Sequence, residues 1–378
     1  MQRKAHILLI GGSGERSGVP RHLEFLTEAL CEEAMLTVCT DLDEGGYSFL
    51  QDRSGIQWKV IRGLKTSLNP LRGLSAVLKI RRLIRQGDFD LVWAHSRMAV
   101  LYLRVLVRVS FLPDCVTYAV TYHGLPFTRG RSRRSRKIAV WLERFLSSGG
   151  HRVIPIFLTG GQMRAWSRAT RCAAEGVVLG NCSRIQPKPA RADMPNIVMT
   201  SRHSPQKNLL WAREIFKHLP AAFTMDLWGA GTQAPDLAAA FTARLDRGAM
   251  ERLDFHGPTQ DIAEALARGA CFVLTSHYEG QPIAALEAME AGLPIATPRI
   301  VGMGEILDRH PLAATLSLQD AKADAEAVAR VTLAYLSDKE MWNAKIRQAW
   351  QGNFSYEAWA PQAREVTFGR LMPHVSED

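Results

Sequence analysis

The sequence has few cysteines and no long apolar segment. Its 378 residues include six cysteines, and no two of them form a C-x-x-C pair. Scattered cysteines of this kind are typical of small buried side chains in a reducing compartment. No run of eighteen apolar residues occurs, and the apolar stretch AHILLI is too short for a secretory signal. We therefore expect a cytoplasmic protein whose membrane contact is at most peripheral.

Acidic residues are outnumbered by basic ones, so the formal charge is +10 and the pI is about 9.5. A basic surface favours an anionic partner, but no nucleic-acid motif or aromatic platform is present, so we expect no nucleic-acid partner. The densest basic run, RGRSRRSRK from Arg129 to Lys137, precedes the apolar IAVWLERFL. This segment is either a solvated loop before a helix or a patch that faces an anionic membrane.

Hydrophobic periodicity predicts two successive α/β units. Buried strands such as AHILLI and FDLVWAH alternate with amphipathic helices such as LRGLSAVLKIRRLIRQ, and the alternation restarts at NIVMTSR. This alternation favours parallel, doubly wound sheets with a ligand at the carboxyl ends of the strands. The length also exceeds what one core usually organises. We predict one α/β domain at 1–182, a second at 190–352, and a C-terminal helix at 353–378 that packs back toward the first domain.

The strongest motif is SHYEGQPIAALEAMEAGLPIATPRIVGMGE, from Ser276 to Glu305. It places Glu279 in a loop and Glu287 in a helix that Pro282 can begin. Gly280 lets the backbone approach a ligand closely, and the free N–H groups of the helix start favour an anion or an oxygen-rich group. Carboxylates are good partners for vicinal hydroxyls, so the two glutamates suit a sugar and a ribose.

This string resembles the E-x(7)-E signature of retaining glycosyltransferases of the GT-B fold, specifically glycosyltransferase family 4 (glycosyl transferases group 1). The resemblance implies an α/β structure of two Rossmann-like domains with parallel sheets facing an interdomain cleft. It also implies that Glu287 holds the nucleotide ribose and that Glu279 holds the transferred sugar in a catalytic role. Further donor contacts are implied at the residues between them, namely Gly280, Gln281, Pro282 and Ile283.

A second match lies upstream, where TSRHSPQKN places Arg202 and Lys207 five positions apart after a strand. It is similar to the family pattern G-R-x-x-x-x-K-N, with Ser201 where glycine is usual. The resemblance implies that both side chains hold the donor diphosphate. Fixed cations at that place would stabilise charge on the departing nucleotide, as a metal ion does in other transferases.

Shorter matches follow in the order that the family requires. WGAGT and FHGPTQDI resemble two donor-binding turns and imply contacts at Gly229 and Gly257, while GGSGERSGVP implies one at Gly18. TYHGLPF implies that His123 contacts the donor sugar or phosphate, and FDLVWAHS places His95 at a neighbouring strand end. The first domain is then expected to bind the acceptor, and the second to bind the nucleotide-sugar.

Two alternatives remain open. The glycine loop GGSGERSGVP could belong to an NAD(P)-dependent oxidoreductase, although it is not a clean G-x-G-x-x-G and no acidic residue clearly closes a second strand. The chain could also be a non-catalytic nucleotide-sugar-binding subunit. The D-x-D triplets at 41–43 and 88–90 lie far from the donor motifs or ahead of a strand, so we predict no metal ligands and no cofactor apart from the donor substrate.

The expected reaction moves a hexose or related sugar from a nucleoside diphosphate to a hydroxyl, with retention of configuration. The basic run favours a glycan or lipid-linked acceptor, as in the biosynthesis of cell-surface polysaccharide, lipopolysaccharide or glycolipid. We expect a cytoplasmic enzyme that associates peripherally with an anionic membrane.

Overall fold

The computed structural model describes residues 3–51, 53, 55–65, 70–109, 112–127, 132–148, 153–172 and 176–373. The chain divides into two compact units. The first contains Met1–Asn181 together with Trp359–Asp378, and the second contains Cys182–Ala358. The sequence-based boundary at 182 differs from this division by one residue.

The first unit is built on a parallel sheet. Its strands are β1 (Ala5–Ile10), β2 (Gly14–Glu15), β3 (Ala34–Thr40), β4 (Asp43–Glu44), β5 (Ile56–Val60), β6 (Leu91–Ala94), β7 (Thr117–Tyr122), β8 (Val153–Phe157) and β9 (Val177–Val178). Its helices are α1 (Gly18–Leu30), α2 (Pro70–Gln86), α3 (Arg97–Arg108), α4 (Arg133–Ser147) and α5 (Gly160–Thr170). Seven strands run in the order β5-β3-β1-β6-β7-β8-β9, and β2 pairs with β4 separately. The strand order reverses between β1 and β6.

The second unit repeats this architecture. Its strands are β10 (Asn196–Thr200), β11 (Thr224–Trp228), β12 (Leu253–Gly257), β13 (Cys271–Val273), β14 (Ile295–Pro298) and β15 (Ala313–Leu316). Its helices are α6 (Leu209–Lys217), α7 (Pro235–Thr242), α8 (Arg247–Met250), α9 (Ile262–Ala267), α10 (Ile283–Glu290), α11 (Gly304–Arg309), α12 (Ala321–Ser337) and α13 (Lys339–Asn353). The sheet order is β12-β11-β10-β13-β14-β15. Here the order reverses between β10 and β13, where ligands of doubly wound sheets bind.

The sequence pattern accounts for most of these elements. Strands such as β1, β6 and β13 are short runs of buried residues, as expected where helices cover both faces of a parallel sheet. The pattern did not predict α11, β15, α12 or α13. Among the described residues, no helix combines the length and the apolar character that a bilayer span requires.

The C-terminal helix begins later than residue 353, where it was predicted to begin. Gly352 and Asn353 lie inside α13, and the next helix, α14 (Tyr356–Arg364), continues into a π-helical turn at Glu365–Leu371. From Trp359 onward the chain belongs to the first unit, where the Trp359 indole donates to the Gly180 carbonyl at 2.7 Å.

The aspartates of the two D-x-D triplets form hydrogen bonds or ion pairs within the first unit. Asp41 directly follows β3, the strand after α1, and it forms contacts within the protein. Its carboxylate accepts backbone N–H groups from Leu42, Gly63 and Lys65 at 2.8, 3.0 and 2.7 Å. Asp88 and Asp90 both pair with Arg3, at 2.5 and 3.0 Å. These carboxylates fix loops and strand ends.

Candidate active site

The second unit gathers most of the predicted donor-site residues at one edge of its sheet. Arg202 and Lys207 follow β10, Gly229 follows β11, Gly257 ends β12, and Glu279 follows β13. The strands are parallel, so their carboxyl ends share one edge. Since β10 and β13 are neighbours, the loops that carry the two cations and Glu279 flank the switch point of the sheet.

A buried ion pair joins these two loops. The Lys207 ammonium lies 2.6 Å from Glu279 Oε1, and the two side chains are only 16% and 7% exposed. The Gln206 amide also donates to Glu279 Oε2 at 3.3 Å. A charge-assisted bond shielded from water is stronger than a surface ion pair, so this contact fixes the position of the loop carboxylate.

Further hydrogen bonds hold the loops in register. The Gln206 side-chain amide donates to the Tyr278 carbonyl at 2.9 Å, and the His277 N–H donates to the Gln206 carbonyl at 2.9 Å. The Thr275 hydroxyl lies 3.0 Å from the carbonyls of both Lys207 and Asn208. Gln206 and Thr275 were not predicted, because the hydrogen bonds that they form between the loops belong to no distinctive sequence motif.

Arg202 has a different environment from Lys207. Its side chain is exposed, and it has no hydrogen bond or ion pair with any other residue that the structure describes. The charge of Lys207 is compensated by Glu279, whereas that of Arg202 is not. Arg202 is therefore a cation available to an anion that enters at this edge of the sheet.

Two glycines allow backbone segments to approach closely at the site. Gly229 has a φ of +141°, and a Cβ there would lie 2.3 Å from the Ser201 carbonyl oxygen. A Cβ at Gly302 would lie 1.8 Å from the Gly280 carbonyl oxygen. Gly302 therefore packs closely against the loop that carries Glu279. Gly302 lies in the glutamate string, but no role was predicted for it.

Helix α10 places the second glutamate. It begins at Ile283, and Pro282 precedes it as the N-cap residue without a side-chain cap. Ile283 and Glu287 are half-buried and four positions apart, so they lie on one face of the helix. Gln281 is buried just before the helix start. The N-terminal end of α10 thus follows the Glu279 loop directly.

Several polar side-chain atoms at this edge are buried without a hydrogen-bond partner among the described residues. They are Thr200 Oγ1, Ser201 Oγ, Ser204 Oγ, Trp228 Nε1, Ser276 Oγ and Thr297 Oγ1. Buried polar groups are normally paired, and a group of exceptions requires an explanation.

The other predicted residues lie in the first unit. Gly18 is the first residue of α1, and His123 follows β7. His95 follows β6 and is fully buried. Burial, followed by the neighbouring His22, holds the pKa values of His95 and His123 well below the usual range. Both rings are therefore neutral at physiological pH.

Comparisons with known proteins agree with this architecture. A family model described as Glycosyl transferase 4-like domain matches residues 17–182, and one described as Glycosyl transferases group 1 matches residues 194–338. The chain is 24% identical over 288 residues to the UDP-Gal:alpha-D-GlcNAc-diphosphoundecaprenol alpha-1,3-galactosyltransferase of Escherichia coli, an alignment that covers 70% of this chain and 72% of that protein.

Solved structures show the same fold. The Anabaena HepE complex with UDP and glucose has a TM-score of 0.75 at 18% identity and covers 96% of this chain and 98% of its own. WaaG, a glycosyltransferase involved in lipopolysaccharide biosynthesis, has a TM-score of 0.73 at 14% identity and covers 96% and 99%. The predicted α/β GT-B class is thus confirmed.

A GT-B fold of two doubly wound units defines a class of sugar transferases. The chain belongs to the glycosyl transferases group 1, glycosyltransferase family 4, as the sequence resemblance predicted. It is accordingly an enzyme of the hexosyltransferase type. The roles of the individual site residues remain predictions.

Gly302→Ala should damage the site without a change in any ligand-binding side chain. The new Cβ would collide with the Gly280 carbonyl, so the Glu279 loop must shift, and a misplacement of about 1 Å can lower turnover about a hundredfold. Gly304→Ala is the matched control, since its Cβ would meet nothing within 4 Å. Steady-state turnover of both variants tests this, and equal activity would show that the close approach is unimportant.

Arg202→Ala and Lys207→Ala should differ in stability although both lose turnover. Each removes a cation, so we expect turnover to fall at least about a hundredfold. Only Lys207→Ala leaves Glu279 buried and unpaired, which should destabilise the second unit by about 3 kcal/mol. Turnover and thermal denaturation are measured for both, with the exposed Lys217→Ala as control. Near-wild-type turnover in both variants would contradict the assignment of Arg202 and Lys207 to the donor site.

Proposed function

We propose that this enzyme transfers a hexose from a nucleoside diphosphate sugar to a hydroxyl of a glycan or lipid-linked acceptor, with retention of configuration. The observation that carries the proposal is the buried pair of Lys207 and Glu279 beside the uncompensated charge of Arg202, at the switch point of the second unit. The name of the E. coli relative gives UDP-Gal as donor, and the Anabaena structure holds UDP and glucose.

The proposed chemistry depends on stabilising the leaving group. The bond between the sugar C1 and the diphosphate oxygen breaks, and its electron pair stays with the diphosphate. The acceptor oxygen bonds to C1 on the same face, and its proton passes to a phosphate oxygen of the leaving group. Arg202 and Lys207 hold the negative charge that develops there, while Glu279 binds sugar hydroxyls close to the reacting carbon.

We propose that the transfer requires no metal ion or cofactor. Arg202 provides an uncompensated positive charge beside the ion-paired Lys207, in the role that a divalent metal has in other transferases. Asp41, Asp88 and Asp90 of the D-x-D triplets accept hydrogen bonds from backbone groups or from Arg3, so they already have partners. This arrangement supports a transfer in which the protein alone neutralises the diphosphate.

Helix α4 supports a membrane-associated acceptor. Its exposed face carries Ile138, Trp141 and Phe145, which are 64%, 63% and 45% exposed. The Trp141 and Phe145 rings stack with centroids 5.7 Å apart. Exposed basic side chains lie on the same helix: Arg133, Arg134, Arg136 and Lys137. Apolar anchors beside basic residues are typical of helices that lie in a membrane interface. Arg129 and Arg131 of the predicted basic run lie outside the described residues.

A buried network anchors the opposite face of α4. Glu143 Oε2 accepts from the Arg104 guanidinium at 2.6 Å, from the Tyr122 hydroxyl at 2.7 Å and from the Trp166 indole at 3.0 Å. The exposed stripe is therefore a fixed feature of the surface. Helix α2, which packs against α3, also presents exposed leucines among basic side chains: Leu71, Leu74 and Leu78.

We propose that this face binds the anionic cytoplasmic leaflet, where a lipid-linked acceptor would be found. The acceptor of the E. coli relative is named as a diphosphoundecaprenol, a lipid diphosphate. Such an acceptor places its sugar at the membrane surface, so peripheral binding would bring enzyme and acceptor together. Cell-surface polysaccharide, lipopolysaccharide or glycolipid biosynthesis is the corresponding pathway class.

The two glutamates should give separable defects. Glu287→Ala should weaken binding of both the free nucleoside diphosphate and the intact donor, because a ribose contact is common to both. Glu279→Gln should leave nucleoside diphosphate affinity nearly unchanged and lower turnover, because a contact to the sugar matters most as charge develops. Calorimetry with UDP and kinetics with a panel of nucleotide-sugars separate the two effects.

Glu290→Gln serves as the control. Glu290 accepts a hydrogen bond from the Ile185 backbone N–H at 2.7 Å within the second unit, and no donor contact is predicted for it. It should retain UDP affinity if the folded unit is intact. A crippled UDP affinity in Glu279→Gln together with a normal one in Glu287→Ala would reverse the assigned roles. Absence of turnover with every nucleotide-sugar tested would contradict the proposed function itself.

Charge removal from α4 should weaken membrane binding. Changing Arg133, Arg134, Arg136 and Lys137 to Gln removes about 1 kcal/mol of attraction per residue, so partition into anionic vesicles should fall at least about a hundredfold at low salt. Vesicle sedimentation at increasing salt measures this. The control changes four exposed basic residues of the second unit to Gln: Arg244, Arg247, Lys322 and Arg330. Equal losses in both variants would indicate a general charge effect without a specific face.

A further inference from the structure

Three histidine rings meet inside the first unit. His22 lies on α1, His95 follows β6, and His123 follows β7. Their ring centroids are 4.8, 5.4 and 5.8 Å apart, and one ring nitrogen of each lies within 4.8 Å of those of the other two. The three residues are far apart in sequence, and the sheet order brings them together.

The nitrogens of this cluster lack partners. His22 Nε2, both nitrogens of His95, and His123 Nε2 are buried and accept or donate no hydrogen bond within the described part of the chain. A buried polar atom without a partner loses its hydration and gains nothing in return, so four of them in one place destabilise the fold. Such exceptions often mark the place of an ion or water.

The surroundings hold the rings in position for a common ligand. His22 Nδ1 lies 2.9 Å from the Asn181 amide oxygen, which requires Nδ1 to carry the proton. The lone pair of His22 Nε2 is then free to face the other two histidines. The indoles of Trp359 and Trp93 pack against the rings of His22 and His95, with centroids 5.6 and 4.9 Å apart. A hydrogen bond from the second ring nitrogen, like that of His22 to Asn181, orients histidine ligands in metal sites.

The histidines also have the protonation state that a metal ligand needs. Burial lowers the pKa of His22 to about 4. Burial, followed by the nearby His22 and His123, lowers the pKa of His95, and burial, followed by His22, lowers that of His123. The rings are therefore neutral at physiological pH, and their lone pairs are available. No proton has to be displaced when an ion enters.

We propose that His22, His95 and His123 form a binding site for a divalent transition metal ion of the Zn²⁺ type. A tetrahedral ion about 2.0–2.1 Å from each nitrogen places three imidazole centres roughly 5 Å apart, which is close to the spacing observed. Imidazole ligands select Zn²⁺, Cu²⁺, Ni²⁺ and Co²⁺ over Mg²⁺ and Ca²⁺. Three protein ligands leave a fourth position open for water or an anion.

This ion is separate from the proposed sugar transfer, which uses no metal. Its effect on turnover, however, depends on the proposed function: an ion bound to the His123 ring would compete with a donor contact by that ring. We therefore expect Zn²⁺ to inhibit transfer and a chelator to restore it. Inhibition competitive with the nucleotide-sugar would connect the two sites functionally.

The binding test needs no donor and no turnover. Co²⁺ is titrated into metal-free protein, and tetrahedral binding is followed by its visible absorption, with Zn²⁺ competition to obtain the Zn²⁺ affinity. We expect one ion per chain. His22→Gln and His95→Gln should each weaken binding at least about a hundredfold, and Asn181→Ala should weaken it about tenfold through its contact with His22.

The exposed His218→Gln is the matched control and should bind as the wild type does. Thermal denaturation verifies that each variant is folded, and the half-buried His123→Gln replaces any variant that is not. Absence of tetrahedral Co²⁺ absorption, or equal affinity in the wild type and the cluster variants, would overturn the proposed site. Loss of transfer in EDTA would instead contradict the metal-free reaction and would leave the binding result unaffected.

Discussion

The pairing of Lys207 with Glu279 is the interaction on which the candidate active site depends. A carboxylate that is only 7% exposed needs a compensating charge, and the ammonium 2.6 Å away is the charge that the second unit supplies. The pair joins the loop after β10 to the loop after β13, and the Gln206 and Thr275 hydrogen bonds lie beside it. Arg202 and Gly280 lie on the same two loops.

The sheet order explains why these two loops meet. Both units have a strand order that reverses beside the first strand. Because β10 and β13 are parallel neighbours, the loops that follow them leave the same edge of the sheet side by side. The same geometry in the first unit places His95 after β6, one strand from His123 after β7. In each unit, the candidate site residues thus lie at the carboxyl ends of the parallel strands.

The sequence was informative where function depends on local spacing. The glutamate string and the Arg202–Lys207 spacing predicted the family and with it the GT-B fold, and strand–helix alternation predicted two doubly wound α/β domains. The ion pair itself was not predictable, because its partners are 72 residues apart and meet only through β10 and β13. His22 was missed for a related reason: on an amphipathic helix it is indistinguishable from an ordinary core residue. Gly302 acts through the space behind Gly280, which no motif encodes.

The measurement that tests the ion pair most directly is a double-mutant cycle on the unfolding of the second unit. The cycle compares Lys207→Met, Glu279→Gln and the double variant with the wild type by thermal or denaturant unfolding. If the pair holds the two loops, the double variant should be more stable than the sum of the single changes predicts, with a coupling of about 1–3 kcal/mol. Additive effects within about 0.5 kcal/mol would show that the two side chains do not depend on each other and would contradict the account.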